Sequence, residues 1–194
     1  LPFMEAIEML AAEAGLQVPE QTKEERDQYK LYDRLLACCA EANKWFMQQM
    51  REPKHKDVWH YALERGLKPE TLDQFRIGFA PSDRDALPAY LKSKGFTDKE
   101  MVDASLARQS KKGSGVYAFF RDRLMFPVTD GRGRIVAFDG RILPDHMRVP
   151  ETGDYTPAKY MNSSDTLLFH KGRMVFNESL ARGAAGQGQP IIIT

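Results

Sequence analysis

Two β-rich segments, residues 122–129 and 134–143, flank the four-residue stretch Asp130-Gly131-Arg132-Gly133. Glycine supplies the positive backbone φ that a tight turn needs, so the stretch predicts an antiparallel β-hairpin. Side chains alternate faces along a strand, which gives the hairpin two chemically different faces. The rest of the chain is expected to pack around this hairpin.

One face of the hairpin is expected to be apolar and the other basic. The apolar positions are Leu124, Phe126, Val128, Val136, Phe138 and Ile142. The opposite face is expected to carry Arg121, Arg123, Asp139 and Arg141. Guanidinium groups present planar forks of donors that suit bidentate phosphate contacts, so this face is a candidate phosphate-binding surface. The alternative is a solvated face whose arginines pair with Asp139 and nearby carboxylates.

A second segment, Lys159-Tyr160-Met161-Asn162-Ser163, combines a cation, an aromatic ring and two hydrogen-bonding side chains. Such a set suits a backbone phosphate with an adjacent stacked base. The alternative is an ordinary edge strand in which Tyr160 packs inward and Ser163 or Ser164 begins a turn. Lys171 and Arg173 add positive charge farther along the chain.

The charge is unevenly distributed along the chain. The net charge is only +1, but residues 1–107 hold 15 Lys and Arg against 19 Asp and Glu, and residues 108–194 hold 13 against 8. Positive charge is therefore concentrated in the β-rich half, as expected of a localised phosphate site.

The N-terminal half predicts helices. Apolar residues at helical spacing indicate an amphipathic helix from Phe3 to Ala14 and a long one from Lys23 to about Met50. Thr22 and Glu25 form a capping-box pattern at the start of the long helix. Shorter helices are expected at 58–65, 69–75, 86–94 and 98–106, with an extended segment at 77–80. The expected fold class is α+β, a helical half packed on a basic mixed β-sheet.

The two cysteines, Cys38 and Cys39, are adjacent within the long helical stretch. This position disfavours a disulfide, and two thiols without further ligands do not make a zinc site. A reduced, cytoplasmic chain is expected. No segment approaches the roughly 20 apolar residues of a membrane span. Leu1 is not an initiator methionine, so the natural protein is expected to be longer.

Four blocks in order, FRDRLMFP, GRGRIVAFDGR, KYMNS and FHKGR, resemble the signature blocks of bacterial replicative DNA primases. The resemblance implies the N-terminal part of the primase RNA-polymerase core, which precedes a metal-binding Toprim domain. The chain departs from the family pattern at four positions. Ala118 and Phe119 stand where Asp-Arg is usual, Asp139 replaces the first glycine of Gly-Gly-Arg, and Phe176 replaces a common tyrosine.

The resemblance also implies a domain organisation. Residues 1–22 would be a linker helix that follows a zinc-binding domain absent from this chain. Residues 23–107 would be the helical part of the core subdomain and residues 108–188 its basic β-rich part. Residues 189–194 would be the first strand of a truncated Toprim domain.

The function implied is synthesis of RNA primers on single-stranded DNA, with this part supplying a basic groove. The implied nucleic-acid and phosphate ligands are Arg121, Arg123, Arg141, Lys159, Tyr160, Asn162 and Lys171. Arg134 is a weaker candidate. Neither a catalytic residue nor a metal ligand is expected here, so the chain alone is expected to be inactive.

The whole enzyme would use Mg or Mn and Zn, none of them bound by this chain. Its implied partners are the DNA template, the RNA primer–DNA duplex, nucleoside triphosphates and, through an absent C-terminal domain, the replicative helicase; no membrane is implied. Two alternatives stay open: a non-catalytic single-strand-binding module, and a domain of another Toprim protein such as a topoisomerase or nuclease.

Overall fold

The computed structural model describes residues 3–15, 22–110, 113, 115–150 and 156–191. The helices are α1 (Phe3–Glu13), α2 (Lys23–Arg51), α3 (Lys56–Glu64), α4 (Pro69–Gln74), α5 (Ala86–Ser93), α6 (Asp98–Asp103) and α7 (Glu178–Gly186). The strands are β1 (Gly78–Ala80), β2 (Ala107–Gln109), β3 (Val116–Ala118), β4 (Arg123–Thr129), β5 (Ile135–Ile142) and β6 (Tyr160–Asn162). Short 3-10 turns occupy Pro53–His55, Asp145–Met147 and Lys171–Arg173. The α+β fold class is confirmed.

The chain divides into two units, Leu1–Leu31 and Tyr32–Thr194. The first unit holds α1 and the first turns of α2. The predicted capping box is present there: the backbone N–H of Thr22 donates to the Glu25 carboxylate at 2.8 Å, and the N–H of Glu25 donates to the Thr22 hydroxyl at 3.1 Å. These bonds satisfy two of the donors that a helix N-terminus leaves unpaired.

The second unit is built on a four-stranded sheet of order β1-β4-β5-β6. Among the described strands every pairing is antiparallel, where a mixed sheet was expected. β2 and β3 form a separate two-stranded sheet, which sequence reasoning missed. The hairpin turn is as predicted, because Gly133 has a φ of 77° and its N–H donates to the Asp130 carbonyl at 2.8 Å.

Helix α2 packs against one face of the sheet. The ring centroid of its Phe46 lies 5.4 Å from that of Phe138 on β5, and both side chains are fully buried. Contact with β1 is closer still, since a Cβ on Gly78 would lie 2.5 Å from the Phe46 backbone carbon. Glycine at position 78 is therefore what allows the strand to lie directly on the helix.

The other face of the sheet is covered at its β1–β4 side by α3 and α4. A buried cluster forms there from Met50, Val58, Ala62, Leu72, Ile77, Phe79, Leu124 and Leu143. Phe126, which was expected to be buried, is partly buried against this cluster. The helical cover ends before β6, where Tyr160 is 58% exposed.

The expected division of the hairpin into one apolar and one basic face is wrong, because β4 and β5 change register near the turn. Thr129 pairs with Ile135, but Val128 pairs with Ala137, so the ladder shifts by one residue between Val128 and Thr129. A one-residue shift moves every later side chain of one strand to the other face. Arg123 therefore lies opposite Ile142, and Arg141 lies opposite Leu124.

Three further expectations concern the ends and loops. Residues 183–189 were expected to be a loop, but α7 continues to Gly186. Gln189, Pro190 and Ile191 are not in a strand, and the rest of the proposed Toprim strand, 192–194, lies outside the described residues. Most of the loop at 111–115 and the stretch 151–155 also lie outside them. Of the helices described, none is long and apolar enough to cross a membrane.

Candidate nucleic-acid interface

Two rows of side chains cross the sheet from β4 to β6. Arg141 on β5 pairs with Leu124 on one side and Tyr160 on the other. Directly paired residues in an antiparallel sheet point to the same face, so these three side chains share a face. The second row, on that same face, consists of Phe126, Asp139 and Asn162. We call Asp139, Arg141, Tyr160, Asn162 and the adjoining Lys159 the β5–β6 face.

Arg141 is held in place by two tyrosines. Its guanidinium donates a hydrogen bond to the Tyr160 hydroxyl and lies 5.3 Å from the centroid of the Tyr160 ring. The pKa of Arg141 is raised above its ordinary value, first by its hydrogen bond with the Tyr61 side chain on α3 and then by the nearby Tyr160. Its Nε is buried and has no hydrogen-bond partner among the described residues. The guanidinium is thus oriented by two tyrosines, and no carboxylate of the described residues forms an ion pair with it.

The Tyr160 ring is exposed and lies near two cations. The Lys159 Nζ lies 5.8 Å from the ring centroid, in addition to the Arg141 guanidinium. Lys159 is exposed and is anchored through its backbone carbonyl, which accepts a hydrogen bond from Ile142 at 3.0 Å. The alternative in which Tyr160 packs inward is wrong. An exposed ring beside two cations has the chemistry to stack a base and hold its flanking phosphates.

Asp139 and Asn162 form the second row of the β5–β6 face. Burial raises the pKa of Asp139, and the positive charge of Lys171 partly opposes this effect. Neither Asp139 nor Asn162 makes a side-chain hydrogen bond within the part of the chain that the structure describes. Asp139 places a carboxyl group on the same face as Arg141, as the sequence indicated. Lys171 is exposed on the 3-10 turn at 171–173.

Arg123 does not belong to this face. It is 2% exposed, and its guanidinium donates to the carbonyl oxygens of Gly140 at 3.1 Å and Ala158 at 2.9 Å. A Cβ on Gly140 would lie 2.8 Å from the Arg123 Cδ. The glycine of the Asp-Gly-Arg block therefore makes room for a buried arginine, and the expectation that Arg123 lies exposed beside Arg141 is wrong.

The other two arginine candidates, Arg121 and Arg134, do not lie on the β5–β6 face. Arg121 is half-buried and precedes Asp122, whose φ is 52°, so it lies before β4 begins. Arg134 forms an ion pair with Asp130 at 2.7 Å and donates to the Tyr32 hydroxyl at 3.1 Å. Burial alone would raise the pKa of Asp130, but hydrogen bonds from Arg134 and Arg132 outweigh burial and lower it. The Arg134 guanidinium is therefore already bonded to a carboxylate of the turn and to a tyrosine of α2.

The sequence did not indicate one residue that builds the site, Tyr61, and it indicated a different role for another, Ser163. Tyr61 lies on α3, far away in sequence, and no local pattern marks it as a partner of Arg141. Ser163 is buried, and its hydroxyl accepts from the Phe138 N–H at 3.0 Å while its own N–H donates to the Phe138 carbonyl at 2.8 Å. The serine of the KYMNS block thereby extends the β5–β6 pairing beyond Asn162 and fixes β6 in register.

Known proteins share this architecture. Residues 45–182 match the family model "DNA primase catalytic core, N-terminal domain". The chain is 37% identical to a DNA primase of Pseudomonas aeruginosa over 189 residues, covering 94% of the chain and 26% of that protein. It is 31% identical to a DNA primase of Deinococcus radiodurans, covering 100% of the chain and 30% of that protein. The chain thus spans less than a third of the length of these curated relatives.

Two solved structures superpose well. The RNA polymerase domain of Mycobacterium tuberculosis primase DnaG, in complex with a double-stranded DNA oligomer carrying a 6-nucleotide overhang, gives a TM-score of 0.71 at 33% identity over 80% of this chain and 46% of that one. A DnaG primase catalytic domain bound to ssDNA gives a TM-score of 0.67 at 31% identity, covering 84% of this chain and 46% of that one.

Proposed function

This chain belongs to the DNA primase catalytic core N-terminal domain family, and on that premise we propose that its β5–β6 face holds the single-stranded template of a DNA primase. The whole protein would be the DNA-dependent RNA polymerase that synthesises RNA primers for replication. The chain spans 26% of the length of the Pseudomonas aeruginosa relative, so the polymerisation step is assigned to a longer protein and template holding to this part.

The observation that carries this proposal is the pairing of Arg141 with Tyr160 on the exposed part of the sheet, with Lys159 beside them. One base stacks on the Tyr160 ring, an interaction of about 1–3 kcal/mol for a single strand on an aromatic side chain. The phosphates on either side of that base lie against Arg141 and Lys159. The Asn162 amide offers a donor and an acceptor to the base edge or sugar.

Asp139 shapes the electrostatics of this face. Its carboxylate repels phosphate, so the strand is expected to pass nearer to Arg141 and Lys159 than to Asp139. Arg121 and Lys171 are proposed as further contacts, to the primer–template duplex and to triphosphate oxygens. We assign Arg123 a structural role, because its guanidinium donors are directed at backbone carbonyls inside the protein.

We propose that the metals of the enzyme, Mg or Mn and Zn, are held by other parts of the longer protein, and we assign contact with the replicative helicase to those parts as well. In the described ranges, no group of three or more His, Cys, Asp or Glu side chains is arranged to hold a metal ion. What this chain contributes is binding and orientation of the strand, which is a major part of catalysis in nucleotidyl transfer.

The alternative of a non-catalytic single-strand-binding module would use the same face. Template-dependent ribonucleotide incorporation by the longer protein separates the two, because only a primase performs it. A domain of another Toprim protein is set aside, because the matching family model is that of DNA primase.

The proposed function is tested by the salt dependence of single-stranded DNA binding. For single strands the slope of log affinity against log salt is about −0.7 per phosphate neutralised. Lys159→Ala is expected to weaken binding and to reduce the steepness of the slope by about 0.7. Lys30→Ala removes the same charge from the acidic half of the chain, where the side chain is 78% exposed, and is expected to change neither quantity. Equal slopes for all three proteins, or a flat slope for the unmodified chain, would contradict the proposal.

A further inference from the structure

A second surface with arginines stacked on aromatic rings lies on the two-stranded sheet. The Arg84 guanidinium lies 4.7 Å from the Tyr117 ring centroid, and the Arg108 guanidinium lies 4.1 Å from the Phe119 ring centroid. Arg108 pairs with Tyr117 across β2 and β3, so these two side chains share a face. We call Arg84, Arg108, Tyr117 and Phe119 the arginine–aromatic strip.

The strip faces outward because buried and partly exposed side chains alternate along β3 and the two residues after it. Val116, Ala118 and Phe120 are buried, whereas Tyr117 and Phe119 between them are only half-buried.

The positive charge of the strip is largely unneutralised. Arg108 has no carboxylate within ion-pair distance in the described part of the chain, and its one hydrogen bond goes to the neutral Ser164 hydroxyl at 2.7 Å. Among the described residues, Arg84 makes one loose ion pair, with Asp85 at 3.8 Å, and both side chains are more than half exposed. A guanidinium stacked on a ring retains edge donors for phosphate, and stacking costs it little hydration.

The strip is joined to the β5–β6 face through a short, hydrogen-bonded connection. Ser164 follows Asn162 by two residues, and its N–H donates to the Ser105 hydroxyl at 2.9 Å while its own hydroxyl accepts from Arg108. Four residues of extended chain span at most about 14 Å, so Tyr160 and Ser164 lie within that distance. A single strand held at Tyr160 can therefore continue to the strip within a few nucleotides.

We propose that the arginine–aromatic strip is a second binding surface for single-stranded DNA, taking one or two unpaired nucleotides beyond those held at Tyr160. Bases stack on the exposed parts of the Tyr117 and Phe119 rings, and the phosphates between them contact Arg84 and Arg108. This inference rests on the proposed function, because it extends the path of the same strand. A duplex does not use the strip, since its bases are already stacked and paired.

The test is a length series of oligothymidylates of roughly four to sixteen nucleotides, the range of site sizes in single-strand-binding folds. The variant is the double substitution Arg84→Gln and Arg108→Gln. Its matched control is the double substitution Arg26→Gln and Arg65→Gln, which removes two exposed arginines of the helical half. Thermal melts establish that all proteins fold equally well.

The strip variant is expected to bind the shortest oligonucleotides as the unmodified chain does and to bind the longer ones about tenfold more weakly. The control is expected to keep the full gain in affinity with length. The proposal is overturned if the strip variant keeps that gain, or if it loses as much affinity for a blunt DNA duplex. These outcomes leave the proposed function intact. Failure of the unmodified chain to bind any oligonucleotide would instead reject the proposed function.

Discussion

The guanidinium of Arg123 donates a hydrogen bond to the carbonyl oxygen of Gly140 at 3.1 Å, and its Cδ lies 2.8 Å from where a Cβ on that glycine would be. The two residues are therefore one packing unit inside the sheet. This relationship separates the arginines of the FRDR block: Arg123 supports the fold, and Arg121 is left as the candidate for contact with nucleic acid.

Arg123→Ala is expected to lower the free energy of unfolding by about 2–4 kcal/mol. The substitution leaves two backbone carbonyls without their charged donor and opens a cavity in the sheet. Arg121→Ala is expected to change the same quantity by no more than about 0.5 kcal/mol, because Arg121 is only half-buried and precedes the strand. Urea denaturation of the two variants measures the difference. Equal destabilisation would show that both arginines are structural.

Gly140→Ala is expected to destabilise the fold by about 1–3 kcal/mol, as overpacking generally does. The added methyl group would press on the Arg123 side chain and, at 3.0 Å, on the Phe120 ring. Gly183→Ala is the matched control, since Gly183 lies within α7 and an added Cβ meets nothing within 4 Å. The control is expected to raise stability by about 0.5–1 kcal/mol. Thermal denaturation measures both variants. A melting temperature that is lower for Gly183→Ala than for Gly140→Ala would contradict the packing described.

Asp139→Asn is expected to stabilise the fold increasingly as the pH rises. Burial raises the pKa of Asp139 in the folded chain, so the unfolded carboxyl ionises first, from about pH 3.9 upward. Between that value and the folded pKa the native protein loses stability with rising pH, and the asparagine variant does not. Urea denaturation of both proteins over a pH series measures this. If the difference in unfolding free energy between the two proteins stays constant with pH, folding does not raise the pKa of Asp139.

The chain by itself is expected neither to contain stoichiometric zinc nor to synthesise primers. The proposed function assigns the zinc site and the Mg or Mn site to other parts of the longer protein. Elemental analysis and a primer-synthesis assay on the purified chain check the two statements separately. Zinc at one equivalent, or metal-dependent primer synthesis, would be the contrary result.

Local features of the fold were predictable because neighbouring residues determine them. The capping box of Thr22 and Glu25 and the glycine turn at Gly133 both form as expected. The faces of the hairpin were not predictable, since alternation within a strand does not reveal a bulge between strands. The shift between Val128 and Thr129 reverses the faces of Arg123 and Arg141 relative to one another.

The candidate site was half predictable. The KYMNS block marked Lys159, Tyr160 and Asn162. In the structure Tyr160 lies beside Arg141 and Lys159, and Asn162 pairs with Asp139 in the neighbouring row. Tyr61 was beyond reach because its contact with Arg141 depends on how α3 packs on the sheet. The arginine–aromatic strip was not predictable, because β2 and β3 are only three residues long and residues 116–120 form a continuous apolar run in which the sequence does not distinguish the buried face from the exposed one.

Photo-cross-linking shows whether a template base stacks on the Tyr160 ring. A single-stranded DNA in which 5-bromodeoxyuridine replaces thymidine is irradiated with the chain, and the cross-linked residue is identified by mass spectrometry. We expect a cross-link at Tyr160 that is lost at high salt, because the flanking phosphate contacts are screened. Cross-links that lie in α2 or α5, with none between residues 158 and 173, would contradict it.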